Sequence, residues 1–386
     1  MKKLSIILLF FCVTGCALAQ SDRNAEANSL KYDVSGTWEG GDGQYVYIRI
    51  EEGIGVNRRI EVIDSALVEN GRFRMSKPLP DNFAEVAFHA GGVSKTFIFG
   101  KTPVIVTCTE IERIRNGIVT KQMQIVLDGG PEQEVYRTYV DARSAESVMM
   151  FGLAMGERSP EVSAGRRDTM AQLLHTRQEF NRHLFDSLAT SNPDMAVTAF
   201  IIEGQANNFG LERIEDMYNN LTPYAKSTFF GRKLEATIGR MKKVEQGAQA
   251  SEFRLTTSNN NIVTLSDYRG KYVLLSFWGS WCAPCRRSHP KLIELYTKYK
   301  DEGFEILGLA NERSTDEVWR KAIEDDGLLW RQVNLTANET GAEVLNNYNV
   351  YAFPTKILIG PNGKIIVTYV GASGELETIL EEIFGK

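Results

Sequence analysis

Residues 273–290 constrain the fold most strongly, because they join a buried-strand pattern to a helical one through a turn that holds two cysteines. Residues 273–278 form a short apolar run of the length expected for a strand covered on both faces. Helical periodicity follows the turn that contains Cys282 and Cys285. We therefore expect Cys282 at a helix N-terminus, where the macrodipole and unpaired backbone N–H groups lower the pKa of a thiol.

Three chemistries compete for the paired cysteines. A zinc site needs two further ligands, and the sequence contains no second cysteine pair and no suitably spaced histidines nearby. A purely structural disulfide is the second alternative, although so short a loop gains less chain-entropy stabilisation than a longer one. A redox-active dithiol, which closes and reopens a disulfide, is the interpretation that the position of Cys282 favours.

The segment FWGSWCAPC at 277–285 resembles the active site of thioredoxin-like proteins, and more narrowly that of the TlpA/ResA group of exported thiol-disulfide oxidoreductases. The resemblance covers roughly residues 250–386 and includes LSDYRGK at 265–271 and Phe353-Pro354-Thr355 before an apolar strand. It implies a thioredoxin-like fold, no bound cofactor and a cis bond before Pro354. The residues that it assigns to the site are the catalytic pair Cys282 and Cys285 and the supporting residues Trp281, Ala283, Pro284, Phe353 and Pro354.

The implied mechanism is disulfide exchange with protein clients, in which the more exposed Cys282 attacks and Cys285 resolves the mixed disulfide. The reductase direction is favoured, and it requires an upstream thiol partner that an exported protein would find in the inner membrane. The alternative function is that of an envelope binding or scaffold protein, whose β-domain recognises a partner and whose redox domain is a redox-responsive dock.

Two positions depart from the family pattern. Thioredoxin carries an acid at the position of Ser276, and several cytochrome-maturation members carry a glutamate at that of Ser288. Neither acid is therefore available to activate Cys285. His289 lies four residues after Cys285 on the same helical face and is a candidate proton acceptor. A packed side chain in front of Pro290 is the favoured alternative.

The N-terminus predicts a targeting segment. Lys2 and Lys3 precede an apolar run at 4–13 that is too short to span a bilayer. The segment ends either at residue 19, by ordinary cleavage, or at residue 15, where Val13-Thr14-Gly15-Cys16 resembles a lipobox that would attach a lipid to Cys16. Both endings predict export to the periplasm of a Gram-negative bacterium, with membrane attachment only through the candidate lipid.

Residues 32–140 show strand patterns and predict a β-domain. Asn70-Gly71 and Asn116-Gly117 each separate two strand-like runs and predict tight hairpins. Further runs, the last at 135–140, complete a small antiparallel sandwich or barrel. The segments IDSA at 63–66 and GRF at 71–73 resemble a poorly characterised β-domain that precedes thioredoxin-like domains in some Gram-negative bacteria. Cys108 lies in a strand-like run and is predicted to be buried and inert.

The predicted fold class is multidomain: an N-terminal antiparallel β-sandwich or barrel, a helical middle segment at 141–248 and an α/β thioredoxin-like domain at 249–386. Asn192-Pro193 and Thr222-Pro223 predict helix starts in the middle segment, which is either a spacer or part of a homodimer interface. The formal net charge of −5, without a basic stripe, argues against nucleic-acid binding.

Overall fold

The computed structural model describes residues 31–52, 59–78, 85–115, 118–158, 164–371 and 375–385. The chain divides into two compact units, Met1–Gln205 with Asp216–Leu234 and Ala206–Glu215 with Glu235–Lys386. The predicted order of a strand-rich region, a helical middle and a C-terminal α/β region is confirmed. The domain boundaries at 140 and 248 stay predictions. The predicted leader, with Cys16, lies outside the described residues.

Two open four-stranded sheets make up the described part of the N-terminal region. Their strands are β1 (Lys31–Trp38), β2 (Tyr45–Glu52), β3 (Arg59–Leu67), β4 (Arg72–Pro78), β5 (Val86–Ala90), β6 (Val93–Phe97), β7 (Val104–Arg115) and β8 (Ile118–Asp128). One sheet has the order β4-β1-β7-β8 and the other β3-β2-β5-β6. Both contribute side chains to a single apolar core, for example Val46 and Val106. The arrangement is therefore a sandwich and not a closed barrel.

One strand pair departs from the predicted antiparallel pattern. β1 runs antiparallel to β4 on one side but parallel to β7 on the other, with Gly36 opposite both Phe73 and Val106. A parallel neighbour needs a long connection, and strands β2 to β6 provide it. Cys108 on β7 is buried, as predicted, and burial raises the pKa of its thiol to about 11.

The Asn70-Gly71 turn forms, but it does not join two strands of one sheet. Both residues have positive φ angles, 52° and 69°, and Glu69 and Arg72 exchange backbone hydrogen bonds of 2.9 and 3.0 Å across them. β3 then pairs with β2, whereas β4 pairs with β1. The predicted hairpin is therefore a corner between the two sheets. The Asn116-Gly117 turn lies outside the described residues, although β7 and β8 on either side of it pair antiparallel.

The predicted strand at 135–140 is wrong, because a helix already begins at Gly130. Tyr136 and Tyr139 are buried three positions apart, which is a helical and not a strand spacing. The described helices of the middle region are α1 (Gly130–Arg158), α2 (Ala164–Ser191), α3 (Ala196–Gln205), α4 (Leu211–Asn220), α5 (Pro223–Ser227) and α6 (Phe229–Lys243). None of the described helices is long and apolar enough to cross a membrane.

Only one of the two predicted proline helix starts is confirmed. Thr222 caps α5, its side chain accepting the Ala225 N–H, with Pro223 in the first turn. Asn192-Pro193 instead precedes a turn, and α3 begins only at Ala196.

The C-terminal region is built on a five-stranded mixed sheet. Its elements are β9 (Arg254–Thr256), β10 (Ile262–Thr264), β11 (Tyr272–Trp278), α7 (Ala283–Tyr299), β12 (Phe304–Ala310), α8 (Asp316–Asp325), β13 (Arg331–Asn334), α9 (Gly341–Asn347), β14 (Thr355–Ile359), β15 (Ile365–Val370) and α10 (Glu375–Phe384). The sheet order is β13-β12-β11-β14-β15, and β9 and β10 form a separate hairpin. The sequence does not predict β13, which pairs parallel with β12.

β11 is the central strand and is buried on both faces, as its apolar run predicts. Val273, Leu275 and Phe277 lie in the core on one side of the sheet. Leu274 lies on the other side, in a core with side chains of α7 and α10. Since both faces are covered, the end of β11 and the turn that follows it have a fixed position.

Candidate functional site: a buried dithiol

The turn after β11 places Cys282 at the start of α7. Gly279 and Ser280 end the strand, Cys282 is the N-cap residue, and the seventeen-residue helix begins at Ala283. The Cys282 Sγ accepts the backbone N–H of Cys285 at 3.3 Å. The first-turn N–H groups and the positive end of the helix dipole thus face this sulfur, and both favour a thiolate over a thiol.

Cys282 and Cys285 form a disulfide, with their Cα atoms 5.3 Å apart. The sequence predicts Cys282 as the more exposed of the two thiols. In the closed disulfide the exposed fraction is 3% for Cys282 and 1% for Cys285, and the relative exposure of the open thiols stays a prediction. Both lie in one apolar cluster with Trp278 and Trp319. Both sulfurs are therefore almost fully covered in the closed disulfide.

Trp281 forms the most exposed aromatic surface beside the disulfide. Its ring packs edge-on against Phe353, with centroids 5.5 Å apart, and the Arg313 guanidinium lies 3.7 Å from its centroid. Its Nε1 donates to the Asn311 carbonyl at 2.9 Å. The ring is thus held by three partners while 38% of the residue stays accessible.

The buried carboxylate of Glu312 stabilises the turn after β11 by accepting hydrogen bonds from it. Glu312, two residues after the end of β12, accepts the backbone N–H of Ser280 at 3.1 Å and its hydroxyl at 2.9 Å. It also accepts the backbone N–H groups of Arg313 and Ser314 at 2.8 and 3.0 Å. Burial alone would raise the pKa of Glu312, but these hydrogen bonds outweigh it and hold the pKa below its ordinary value of 4.5.

His289 is buried under the site and is paired with an acid that the sequence does not reveal. Its Nδ1 lies 2.7 Å from Asp326 Oδ2, and its ring meets Trp278 edge-on at 5.0 Å between centroids. Arg286 binds the same carboxylate, with Nη2 2.7 Å from Oδ1. Because a carboxylate only accepts, the Nδ1 of His289 carries the hydrogen and Nε2 is the acceptor.

Opposing effects act on the two partners. Burial lowers the pKa of His289; Asp326 partly offsets this, and the positive charges of Lys356 and Arg286 lower it further. Burial would raise the pKa of Asp326, but the hydrogen bonds from Arg286 and His289 hold it below its ordinary value. At neutral pH the imidazole is therefore neutral and the carboxylate charged.

Of the other predicted site residues, those in the described part of the chain lie in the first turn of α7 or in the segment before β14. Ala283 and Pro284 are exposed in the first turn of α7, whereas Pro354 is buried. The peptide bond between Phe353 and Pro354 is cis, as the family resemblance implies. Cys16 lies outside the described residues.

Ser276 and Ser288 occupy the two positions at which the family resemblance implies an acid. Ser276 is buried in β11, and Ser288 donates to the Cys285 carbonyl at 2.7 Å.

Sequence reasoning missed Glu312, Asp326, Arg286 and Lys356. Glu312 follows the carboxyl end of a parallel strand, a position where functional side chains collect in α/β sheets, so a signal existed. Lys356 stands in an otherwise apolar strand, TKILI, and a charged residue in such a run is also a signal. The pairing of Asp326 with His289 depends on how α8 packs against α7, which no local pattern encodes.

Comparison with known proteins gives consistent matches to the C-terminal region. The model of the AhpC/TSA family matches residues 246–368. Thiol-disulfide oxidoreductase ResA of Bacillus cereus is 35% identical over 148 residues, which are 38% of this chain and 83% of that protein. ResA of Geobacillus kaustophilus is 40% identical over 142 residues, which are 36% of this chain and 79% of that protein.

The chain belongs to the ResA family of thiol-disulfide oxidoreductases. Its C-terminal domain is thioredoxin-like, and the predicted enzyme class is confirmed. Among solved structures, the thioredoxin domain of a thiol-disulfide oxidoreductase from Bacteroides vulgatus is 36% identical, covering 36% of this chain and 97% of that chain at a TM-score of 0.34. The ResA assignment rests on the sequence relatives.

Replacing Glu312 with glutamine should destabilise the ResA-like domain by about 2 kcal/mol, since charge-assisted hydrogen bonds to Ser280, Arg313 and Ser314 are weakened. The folded pKa of Glu312 lies below its unfolded value, so its contribution is complete above about pH 4.5. That contribution disappears as the pH falls through the folded pKa. Denaturant unfolding of wild type and Glu312→Gln over a pH series measures both effects.

The matched control is Glu302→Gln, which neutralises an exposed glutamate of the same domain. It should leave the free energy of unfolding nearly unchanged. Equal stability of wild type and Glu312→Gln at neutral pH would contradict the stabilising role of the Glu312 hydrogen bonds.

Proposed function

We propose that the chain exchanges disulfides with protein clients through the Cys282–Cys285 pair, with reduction of the client as the favoured direction. One observation carries the proposal: the Cys282 Sγ accepts a backbone N–H at the N-terminus of α7, beside a second cysteine close enough to close a disulfide. This position favours the thiolate that attacks in exchange chemistry. The family relationship supports the reaction class.

The reaction has two steps that conserve electrons. The Cys282 thiolate attacks a client disulfide, one client sulfur joins Cys282, and the other leaves as a thiolate that takes up a proton. Cys285 then loses its proton and attacks the Cys282 sulfur, closing the disulfide and releasing the second client sulfur. The client gains two electrons, and a dithiol donor restores the pair.

Trp281 and Phe353 are proposed to support client binding. Their rings form the accessible apolar border of the disulfide, and Arg313 over Trp281 adds a positive charge. Such a surface suits a peptide segment with an apolar side chain next to its cysteine.

Export to the periplasm is part of the proposal. The charged start at Lys2 and Lys3 and the apolar run behind it support it. An oxidising compartment is where disulfide clients occur. Mass spectrometry of the N-terminal peptide of the mature protein distinguishes cleavage after residue 19 from a lipid on Cys16. An inner-membrane electron donor and a homodimer remain part of the same hypothesis.

Client trapping tests the roles of the two cysteines. In Cys285→Ser the mixed disulfide on Cys282 cannot be resolved, so stable adducts with disulfide clients should accumulate. Cys282→Ser lacks the attacking sulfur and should trap few. Non-reducing electrophoresis and mass spectrometry of the adducts measure the difference.

Cys108→Ala is the control for trapping, because Cys108 is buried in the β-domain and should not contribute. Equal trapping by the two active-site variants would contradict the assignment. Insulin-disulfide turnover tests the activity itself: a scaffold protein would show none with any reductant.

For His289 the contacts favour the packed role over proton transfer. His289→Ala should lower the free energy of unfolding by about 2 kcal/mol, since Asp326 loses a hydrogen-bond donor and Trp278 a ring contact. Because burial lowers the folded pKa of His289, its protonation below about pH 6.5 opposes folding, so the wild-type advantage should shrink there.

The rate of the resolving step should keep its pH profile in His289→Ala. Single-turnover kinetics over a pH series on both proteins measure it. If the rate in wild type changes with pH near the histidine pKa and the rate in His289→Ala does not, His289 accepts the proton from Cys285.

A further inference from the structure

Lys356 is a buried lysine on the strand next to β11. It lies on β14, opposite Ser276, and only 3% of it is exposed. Leu274 and Leu358 are also paired, and both belong to the core beneath α7. Because side chains two residues apart share a face of a sheet, Ser276 and Lys356 face the same side.

This side of the sheet leads to the dithiol. Trp278, the next residue of β11 on that face, lies in the same apolar cluster as Cys282 and Cys285. The positive charge of Lys356 also acts on His289, whose ring touches Trp278. Lys356 therefore lies on the face of the sheet that carries Trp278, one side-chain position along that face from the cluster that holds the dithiol.

Among the residues that the structure describes, Lys356 has no counter-charge. No carboxylate in the part of the chain that the structure describes lies within ion-pair distance of it, and burial lowers its pKa. The titratable groups that pack on this face include Tyr369, which is paired with Lys356 across β14 and β15, and Tyr299 of α7. The others are His289, Arg286, Asp326 and the dithiol. Asp326 is already bound by Arg286 and His289, so it does not neutralise Lys356.

Lys356 as a whole is only 3% exposed, so its ammonium is poorly hydrated and also lacks a carboxylate partner among the described residues. Such a charge is costly, so a partner is expected in some state of the protein. The disulfide has no charge, but the reduced pair can carry a thiolate. We propose that Lys356 is the buried charge partner of the reduced dithiol, its ammonium group stabilising the thiolate that the Cys282–Cys285 pair carries once the disulfide is open. Lys356 is thus a positioning residue that acts through its charge on the thiolate. This proposal rests on the exchange function proposed above.

The charges balance in this scheme. A dithiol donor passes two electrons to the disulfide and becomes a disulfide itself. The Cys282–Cys285 pair then takes up two protons to form two thiols, or one proton to form a thiol and a thiolate. The ammonium group favours the second outcome. A thiolate stabilised in this way also stabilises the reduced form as a whole, which makes the pair a stronger oxidant.

Lys356→Met removes the charge and keeps an unbranched side chain of similar length. In the full-length protein we expect the pKa of the more acidic thiol to rise by about one unit, the lower end for loss of a nearby opposite charge. Where the wild type carries a thiolate, the equilibrium with glutathione should shift about tenfold toward the disulfide, or about 30 mV. The ultraviolet absorbance of the thiolate and quantification of both redox forms measure these changes.

Stability measurements separate this role from a structural one. The oxidised variant should be at least as stable as oxidised wild type, because an unpaired buried charge is removed, whereas the reduced variant should lose stability. A merely structural lysine would shift both forms alike and leave the equilibrium unchanged. Lys364→Met, at an exposed lysine of the same domain, is the control and should change neither quantity.

Lys356→Gln serves as the second neutral variant if the methionine variant does not fold. An unchanged thiol pKa and glutathione equilibrium in a folded variant that still exchanges would overturn the role of Lys356. Failure of the wild type to exchange at all would instead contradict the proposed function. The thiol pKa comparison needs only chemically reduced protein, so it would still decide the role of Lys356.

Discussion

The hydrogen bond from the Cys285 N–H to the Cys282 sulfur is the interaction on which the geometry of the active site depends. It exists because a strand buried on both faces ends beside a helix whose first N–H groups lack backbone partners. The apolar cores on either side of β11 fix the strand, and Leu292, Leu295 and Tyr299 fix the helix against one of them. The position of the Cys282 sulfur thus depends on the apolar cores on both sides of β11, which extend well beyond the site itself.

Around this bond the protein combines an apolar enclosure with a few buried charges. Glu312 is satisfied by hydrogen bonds from the turn that it supports, and Asp326 by Arg286 and His289. Lys356 differs, because its ammonium lacks a carboxylate partner among the described residues. Ser276 and Ser288 stand at the two positions where the family resemblance implies an acid. The thiolate is therefore stabilised here by the helix terminus and, in our proposal, by a buried cation.

Local sequence carries much of this architecture but not all of it. The run at 273–278 predicts the central strand because it is continuously apolar, and the Cys-x-x-Cys turn predicts the helix start. The strand predicted at 135–140 is wrong because its apolar residues also fit a helical spacing, and Gly130 and Pro131 start that helix. The Asn70-Gly71 turn is predicted, but its strands enter different sheets because strand pairing is set by residues distant in sequence. The partners of His289 and Glu312 come from other elements, so only the folded chain reveals them.

The exchange function requires that the Cys282–Cys285 bond opens and closes reversibly. Equilibrating the full-length protein with mixtures of reduced and oxidised glutathione, followed by acid quenching and mass spectrometry, tests it directly. We expect a single reversible transition that follows a two-electron couple, with the disulfide confined to Cys282 and Cys285. A bond that stays closed across all glutathione ratios would mark a structural disulfide and exclude the exchange function.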